Sequence, residues 1–285
     1  MRFYIVDCFA QEKYQGNQLA VFLPDRPMET QEMQQVAHEI GFSETSFLLS
    51  GKQKDGGYDV RIFTPDVEVP FAGHPTLGTA YVIWKEIEGG KTRQIRLNLK
   101  AGQIPVDVDI EGARLTMTQN QPQFGEILAK SLVAPALSLK LEDIRDDYPV
   151  QWVSTGLEAI MIPLKSTEAI EKCRVDFLER QRFIDKYYKC NLLVFAQESD
   201  RLRVRVFMDD TGFLEDPATG SANGCLAAYL LRHNYFHSQR ISYEVSQGRE
   251  IGRPSLLYVQ AVLEQDMYTI QVGGKAVIVA HGEWL

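Results

Sequence analysis

The chain has 285 residues with 45% hydrophobic and 24% charged side chains, a net charge of −8 and a pI of about 5.3. This length suits one large domain or two ordinary ones, and the composition is that of a soluble globular protein. The acidic charge argues against a general binder of nucleic-acid backbones. A small anionic substrate is still allowed, because a local site can be positive within an acidic protein.

The first residues and the cysteines indicate the cellular environment. The stretch "RFYIVDCF" alternates like a strand and lacks the apolar core of a signal peptide. No apolar run approaches the roughly 18 residues that a membrane helix needs. Cys8, Cys173, Cys190 and Cys225 lack C-x-x-C spacing, so we expect neither a disulfide framework nor a zinc site. We therefore expect a cytoplasmic, reduced protein with no membrane partner, no metal and no cofactor.

Strand and helix patterns alternate along the chain. In the first half the apolar spacing predicts helices over 30–40 and 74–87, among strands at 2–9, 17–23, 45–50, 58–65, 93–99, 103–110 and 113–119. In the second half it predicts helices over 175–188 and 220–233, among strands at 148–155, 158–164, 190–197, 202–210, 240–245, 255–263, 267–272 and 276–284. The glycine pairs in "DGGY" and "VGGK" are interpreted as turns.

The second half repeats the order of the first. "VRIFTP" (60–65) matches "VRVFMD" (204–209) at an offset of 144, and Gly73 matches Gly220 at an offset of 147, so three residues are inserted between. Chance similarity would explain any single match, but the matching element order favours duplication. We predict an α+β fold of two pseudo-symmetric domains, 1–118 and 119–285. The final strand, about 276–285, is a candidate to return to the first domain.

Both matched glycines open an apolar helix, in "VPFAGHPTLGTAYVIW" and "EDPATGSANGCLAAYL". The first turn of a helix has unpaired backbone N–H groups and the positive end of the helix dipole. Small residues let a ligand come close to that backbone. If the two halves face each other, the starts at Gly73-His74 and Gly220-Ser221 can hold a substrate carboxylate in one cleft.

The candidate acid–base residues each have a simpler explanation. His74 and Ser221 can merely cap their helices, Asp216 can be an acid that complements the helix dipole, and Glu44 in "GFSETSF" can be a solvated surface group. A Ser-His-Asp hydrolase is disfavoured, because Ser221 lacks the G-x-S-x-G elbow. Because a histidine and a serine occupy equivalent helix starts, a functional role is favoured for both, as hydrogen-bond donors or proton relays.

Five motifs in this order resemble those of the PhzF-like phenazine-biosynthesis family: "GNQLAVF", "GFSETSF", "FTPDVEVPFAGHPTLGTA", "EDPATGSANG" and "QGREIGRPS". The resemblance implies the diaminopimelate-epimerase-like fold, in which two barrel-like, mostly antiparallel curved sheets each wrap a central helix, with the site between them. It also implies a catalytic set and a substrate-binding set: Glu44, His74, Asp216 and Ser221 for catalysis, and Gly73, Gly220, Thr219 and Ala222 for binding.

The leading hypothesis is a cofactor-independent isomerase that moves a proton on a small, carboxylate-bearing and conjugated substrate, with Glu44 as the base. The resemblance also implies a homodimer. The alternative is a catalytically silent member that only binds a small molecule, a hypothesis suggested by the acidic pair Asp209-Asp210 ahead of the second motif. Asn223, after "GSA", is a further departure from the family pattern. Amino-acid racemisation is disfavoured, because His74 and Ser221 stand where related epimerases have cysteines.

Overall fold

The computed structural model describes residues 1–187, 189–208 and 213–285 and forms two compact units. The first unit comprises Met1–Thr118 and Gly273–Leu285, and the second comprises Gln119–Val272. Each unit combines a curved sheet with helices, which confirms the predicted α+β class. In the described parts of the chain no helix is both long and apolar enough to cross a membrane.

The strands of the first unit are β1 (Arg2–Cys8), β2 (Asn17–Leu23), β3 (Thr45–Leu48), β4 (Tyr58–Phe63), β5 (Glu68–Val69), β6 (Gln94–Leu99), β7 (Gly102–Asp109) and β8 (Arg114–Thr118). Those of the second are β9 (Gln123–Leu128), β10 (Val150–Ser154), β11 (Glu158–Pro163), β12 (Asn191–Glu198), β13 (Arg201–Phe207), β14 (Glu215–Asp216), β15 (Arg240–Gln247) and β16 (Ser255–Glu264). A last strand, β17 (Met267–Glu283), runs from the second unit into the first.

The sheet of the first unit closes into a barrel. β1 pairs antiparallel with β2, β2 parallel with β3, β3 antiparallel with β4, and β4 parallel with β6. β6, β7 and β8 continue as an antiparallel meander, and β17 pairs with both β8 and β1. Closure removes the open strand edges on which aggregation would begin.

The second unit repeats this order of pairings. β10 lies antiparallel to β9 and β11, β11 is parallel to β12, and β12 is antiparallel to β13. β13 is parallel to β15, and β15 is antiparallel to β16. The match with the first unit, strand for strand, is the duplication that the sequence predicts.

The helices are α1 (Thr30–Ile40), α2 (Gly73–Val82), α3 (Lys130–Val133), α4 (Thr167–Lys172), α5 (Phe177–Lys186) and α6 (Gly220–Arg232). α2 continues into a π-helical turn over Ile83–Ile87. Every residue of α2 from His74 to Val82 is buried, and so is α6 from Gly220 to Leu231. A helix that is buried all round belongs inside a sheet, and this is the central helix of each unit.

A bidentate ion pair recurs at equivalent positions of the two units. Arg61 Nε and Nη2 donate to the Glu68 carboxylate at 2.9 and 2.7 Å, and Arg205 donates to Glu215 with the same atoms and distances. The guanidinium also lies over the ring two residues on, in both units. The arginines are 144 residues apart and the glutamates 147, so the three-residue insertion falls between them.

One predicted turn differs from the structure. The interpretation of "VGGK" as a turn is wrong, because Gly273 and Gly274 lie inside the continuous strand β17. A Cβ at Gly273 would lie 2.4 Å from the Leu115 carbonyl oxygen, and one at Gly274 would lie 2.4 Å from Phe9 Cδ1. These glycines therefore allow β17 to pack closely against its neighbours, and they do not reverse the direction of the chain.

Further differences concern the second unit. The helix predicted over 175–188 is α5, which begins later and ends earlier. The Asp176 side chain caps its start, because it accepts hydrogen bonds from the first backbone N–H groups of the helix. Tyr188, the last residue of the predicted range, lies outside the described residues. β9 was not predicted, because glutamine and proline around it obscure the strand pattern. The acidic pair Asp209-Asp210 also lies outside the described residues.

Candidate functional site

Glu44 and His74 lie together in the first unit. α1 is followed by its C-cap Gly41, whose left-handed backbone (φ 67°) turns the chain toward β3, and Glu44 is the last residue before that strand. His74 is the second residue of α2, and its Nε2 lies 3.5 Å from Glu44 Oε2. The His74 side chain is 6% exposed and that of Glu44 is 20% exposed. The predicted proton acceptor and the predicted histidine therefore lie within ion-pairing distance of each other.

The electrostatics of Glu44 are unusual for a glutamate. Burial disfavours its charged form and raises its pKa to about 7, although a hydrogen bond from Ser43 acts in the opposite direction. Among the described residues, no hydrogen bond reaches Glu44 Oε2. A carboxyl group with a pKa near neutrality is present in both protonation states at physiological pH, which is what a group that takes and returns a proton needs.

The start of each central helix is held from the end of an equivalent strand, by Cys8 at the end of β1 and by Thr155 directly after β10. Cys8 Sγ donates to the His74 carbonyl oxygen at 3.4 Å, and Thr155 Oγ1 donates to the Ser221 carbonyl oxygen at 3.4 Å. Both pairs are offset by 147 residues, as are the helices. The same position thus holds a thiol in one unit and a hydroxyl in the other, and in both it fixes the first turn of the helix.

The described cysteines do not provide the two thiols of an epimerase. All four are buried and unbridged. Burial raises the pKa of Cys225 to about 11 and that of Cys8 further, so the reactive thiolate is disfavoured in both. The residues at the helix starts are His74 and Ser221, as the sequence shows.

The start of α6 carries a compact polar network in the second unit. The Thr219 hydroxyl donates to Asp216 Oδ2, and Gln247 Nε2 donates to Thr219 Oγ1 at 3.1 Å and to the Asp216 carbonyl oxygen at 2.8 Å. Asn223 Nδ2 donates to the Thr219 carbonyl oxygen at 2.9 Å and to Gln247 Oε1 at 3.0 Å. The network fixes both the backbone before the helix and the Asp216 carboxylate.

The turn after Gln247 holds this network in place. Gly248 has a φ of 80°, and a Cβ there would lie 2.3 Å from the Arg253 carbonyl oxygen and 2.7 Å from the Pro217 carbonyl oxygen. Only glycine fits so close an approach in a left-handed conformation. The "QG" of the motif "QGREIGRPS" therefore packs β15 directly against the Asp216-Pro217 turn.

The capping explanation does not describe His74 or Ser221. The N-cap of α2 is Ala72, which has no polar side chain, and His74 lies inside the helix. The N-cap of α6 is Thr219, whose hydroxyl donates to Asp216. Ser221 and Ala222 are buried in the first turn that Gly220 begins, at 6% and 2% exposure. The equivalent Gly73 begins α2.

Sequence reasoning missed part of the network. The sequence patterns predict no site role for Gln247 or Asn223, yet both side chains are buried and hydrogen-bonded at the start of α6. The available signal was a pair of amide side chains. It indicates a network at the helix start only once the fold places β15 beside α6. The roles predicted for the eight site residues stay predictions. Within the described ranges, no cluster of three His, Cys, Asp or Glu could hold a metal ion.

Known proteins resemble this chain over nearly its whole length. The profile of the PhzC-PhzF family, described as phenazine biosynthesis-like proteins, matches residues 6–282. An uncharacterized isomerase from Clostridium acetobutylicum is 33% identical over 296 residues, covering 98% of this chain and 96% of that protein. The trans-2,3-dihydro-3-hydroxyanthranilate isomerase of Pseudomonas aeruginosa is 33% identical over 286 residues, covering 99% and 98%. A solved PhzF-family protein from Bacillus anthracis has a TM-score of 0.90 at 25% identity, covering 100% and 99%.

Proposed function

The chain belongs to the phenazine biosynthesis-like (PhzC-PhzF) family and is an isomerase, and from this premise we propose that it moves a proton on a small carboxylate-bearing substrate without a cofactor. The observation that carries the proposal is the buried pair of Glu44 and His74, in which the pKa of Glu44 is about 7. A conjugated cyclic carboxylate fits this chemistry, because its electrons can shift as the proton changes carbon.

In the proposed step the Glu44 carboxylate removes a proton from one substrate carbon and becomes a carboxylic acid. The electron pair of the broken C–H bond moves through the conjugated system and forms a new bond to hydrogen at another carbon, where Glu44 returns the proton. Substrate and product have the same atoms, and the enzyme regains its initial state. His74, 3.5 Å from the carboxylate, orients Glu44 and balances its changing charge.

We propose that the starts of α2 and α6 provide the substrate-binding groups. The backbone N–H groups at Gly73 and Gly220 suit a carboxylate, because the first turn of a helix favours negative charge. Asp216 and Ser221 then contact polar groups of the substrate and assist the proton movement. Thr219 at the N-cap of α6 and Ala222 in its first turn support this contact.

Turnover of trans-2,3-dihydro-3-hydroxyanthranilate, the compound in the name of the Pseudomonas relative, tests the proposal. Glu44→Gln keeps the shape of the side chain but cannot accept the proton, so we expect at least a 10²-fold loss of kcat, as is typical for an acid–base group. The matched control is Glu39→Gln, on the exposed face of α1, which is expected to keep wild-type turnover.

Two results would count against the proposal. Wild-type turnover by Glu44→Gln would remove Glu44 from the mechanism. Tight binding of several cyclic carboxylates without turnover of any, unaffected by Glu44→Gln, would favour the catalytically silent alternative. The proposed homodimer is tested separately, by light scattering at micromolar concentration, where a monomer mass would contradict it.

A further inference from the structure

Gln247 lies at the end of β15 with 1% of its surface exposed, and its amide makes four hydrogen bonds. Nε2 donates to the Asp216 carbonyl oxygen and to Thr219 Oγ1, while Oε1 accepts from Asn223 Nδ2 at 3.0 Å and from the Thr219 backbone N–H at 3.4 Å. Exchanging the amide oxygen and nitrogen would set Oε1 against the Asp216 carbonyl oxygen. The orientation of the amide is therefore determined by its partners.

This orientation determines where the hydrogen of the Thr219 hydroxyl points. A hydroxyl group has one hydrogen to donate. Because Gln247 Nε2 donates to Thr219 Oγ1, the hydroxyl accepts on that side, and its own hydrogen goes to Asp216 Oδ2. The hydrogen bonds thus run in one direction, from the buried amide through the hydroxyl to one oxygen of the carboxylate.

We propose that Gln247 is a positioning residue that, through Thr219, makes Asp216 Oδ2 a permanent hydrogen-bond acceptor and so assigns any proton that Asp216 carries during the reaction to Oδ1. This role of Asp216 rests on the proposed function, since it concerns the same proton movement. Gln247 itself touches Asp216 and Thr219 and acts only through them. The consequence for catalysis is that only one of the two carboxylate oxygens exchanges a proton with the substrate.

Comparison with the first unit separates this role from a requirement of the fold. Asp216 and Thr219 correspond, at the offset of 147, to Val69 and Ala72, which have no polar side chains. The bond across the first helical turn is nevertheless present in both units: Thr76 Oγ1 donates to the Ala72 carbonyl oxygen at 2.7 Å, as Asn223 Nδ2 does to that of Thr219. A helix start of this kind can thus form without the hydrogen bonds that lead from Gln247 through Thr219 to Asp216. Those hydrogen bonds are a feature of the second unit.

The neighbouring carboxylate of β14 is already paired. Glu215, the preceding residue of β14, forms the bidentate ion pair with Arg205 of the neighbouring strand β13. Gln247 on β15 and Thr219 before α6 are neutral. A hydrogen bond to the charged form of a carboxyl group lowers its pKa. Removing the Thr219 hydroxyl is therefore expected to raise the pKa of Asp216.

The test is a pH titration of the Asp216 side-chain carboxyl by ¹³C NMR in the full-length protein, which needs no substrate. Thr219→Val is expected to raise the pKa of Asp216 by about one. Gln247→Met, which keeps the length of the side chain but removes its donors, is expected to raise it in the same direction by a smaller amount, because the hydroxyl is then able to turn away. Thr219→Ser keeps the hydroxyl and is expected to restore the wild-type titration.

The matched control is Gln151→Met, which removes another buried glutamine of the second unit whose amide bonds to Gly125 and His233. It is expected to leave the titration of Asp216 unchanged. With trans-2,3-dihydro-3-hydroxyanthranilate as the probe, Gln247→Met is expected to lower kcat about tenfold with KM changed less than about twofold, since the carboxylate is misdirected but still present.

The outcomes separate this inference from the proposed function. An unchanged pKa of Asp216 in both Thr219→Val and Gln247→Met overturns the positioning role, whatever the activity. A rise in that pKa, in a protein that does not turn over trans-2,3-dihydro-3-hydroxyanthranilate, supports the positioning role and counts against isomerisation of that compound. An equal rise in Gln151→Met would show a general structural effect and would also overturn the inference.

Discussion

Replacing Glu44 with glutamine is expected to stabilise the protein above pH 7 and to have little effect near pH 4. The pKa of Glu44 is raised from 4.5 to about 7, because burial disfavours the charged carboxylate. An acid with a raised folded-state pKa contributes stability that is fully present below the unfolded pKa and is lost as the pH rises through the folded pKa. Glutamine carries no charge and does not lose this stability.

The size of the effect follows from the shift. A difference of about 2.5 between the folded and unfolded pKa corresponds to about 3 kcal/mol at full ionisation, since one pH unit is worth about 1.4 kcal/mol. The side chain is 20% exposed, so solvent screening reduces the expected gain to about 2 kcal/mol. The gain should develop between about pH 4.5 and 7 and then become constant.

Urea denaturation of the wild type and of Glu44→Gln, repeated across this pH range, measures the difference in unfolding free energy directly. Glu39→Gln on the exposed face of α1 is the control, and its difference from the wild type is expected to be independent of pH. A difference between Glu44→Gln and the wild type that stays constant with pH would refute the reasoning, because it would show that Glu44 pays no desolvation cost in the folded state.

Three further predictions test the repeat and the helix starts. In urea titrations, Gly248→Ala should lower the unfolding free energy by about 2–4 kcal/mol. Gly252 has a similar φ but no atom within 4 Å of the position that a Cβ would take, so Gly252→Ala should lower it by only about 1 kcal/mol. Equal losses would contradict the close approach at Gly248. Arg205→Ala should lower the unfolding free energy by about 3–5 kcal/mol, because it leaves the buried Glu215 carboxylate without its ion-pair partner. Arg61→Ala, at the more exposed equivalent pair, should lower it less, and the reverse order would contradict the reasoning. Gly220→Val should weaken binding of a cyclic carboxylate by calorimetry far more than it lowers stability, and intact binding would exclude the α6 start as a carboxylate site.

Much of the fold could be predicted because its signals are local. The apolar run of β2 and the helical spacing of α1 are patterns within short stretches of sequence, and both elements lie where the sequence places them. The repeat was visible because the two central helices begin with matching glycines. β9 and the continuity of β17 could not be predicted. A glycine pair that normally marks a turn serves here to pass close to Leu115 and Phe9, and only the tertiary structure shows those neighbours.

The candidate site could be predicted less completely. Motifs pointed to Glu44 and His74, and the fold brings them to 3.5 Å. The raised pKa of Glu44 depends on burial, which no local pattern shows. The same holds for Gln247, because a glutamine at the end of a strand has no local feature that distinguishes it. Its importance comes from a parallel strand pairing, β13 with β15, that places it beside α6.

The central claim is that the Glu44 carboxylate takes the proton, and the pH dependence of kcat/KM tests it most directly. This quantity reports the ionisation of the free enzyme, and a general base must be deprotonated to act. With trans-2,3-dihydro-3-hydroxyanthranilate as substrate, kcat/KM is predicted to rise with pH through an inflection near 7, the pKa of Glu44. A profile that is flat between about pH 5 and 8, or that falls as the pH rises through 7, would contradict the assignment of Glu44 as the base.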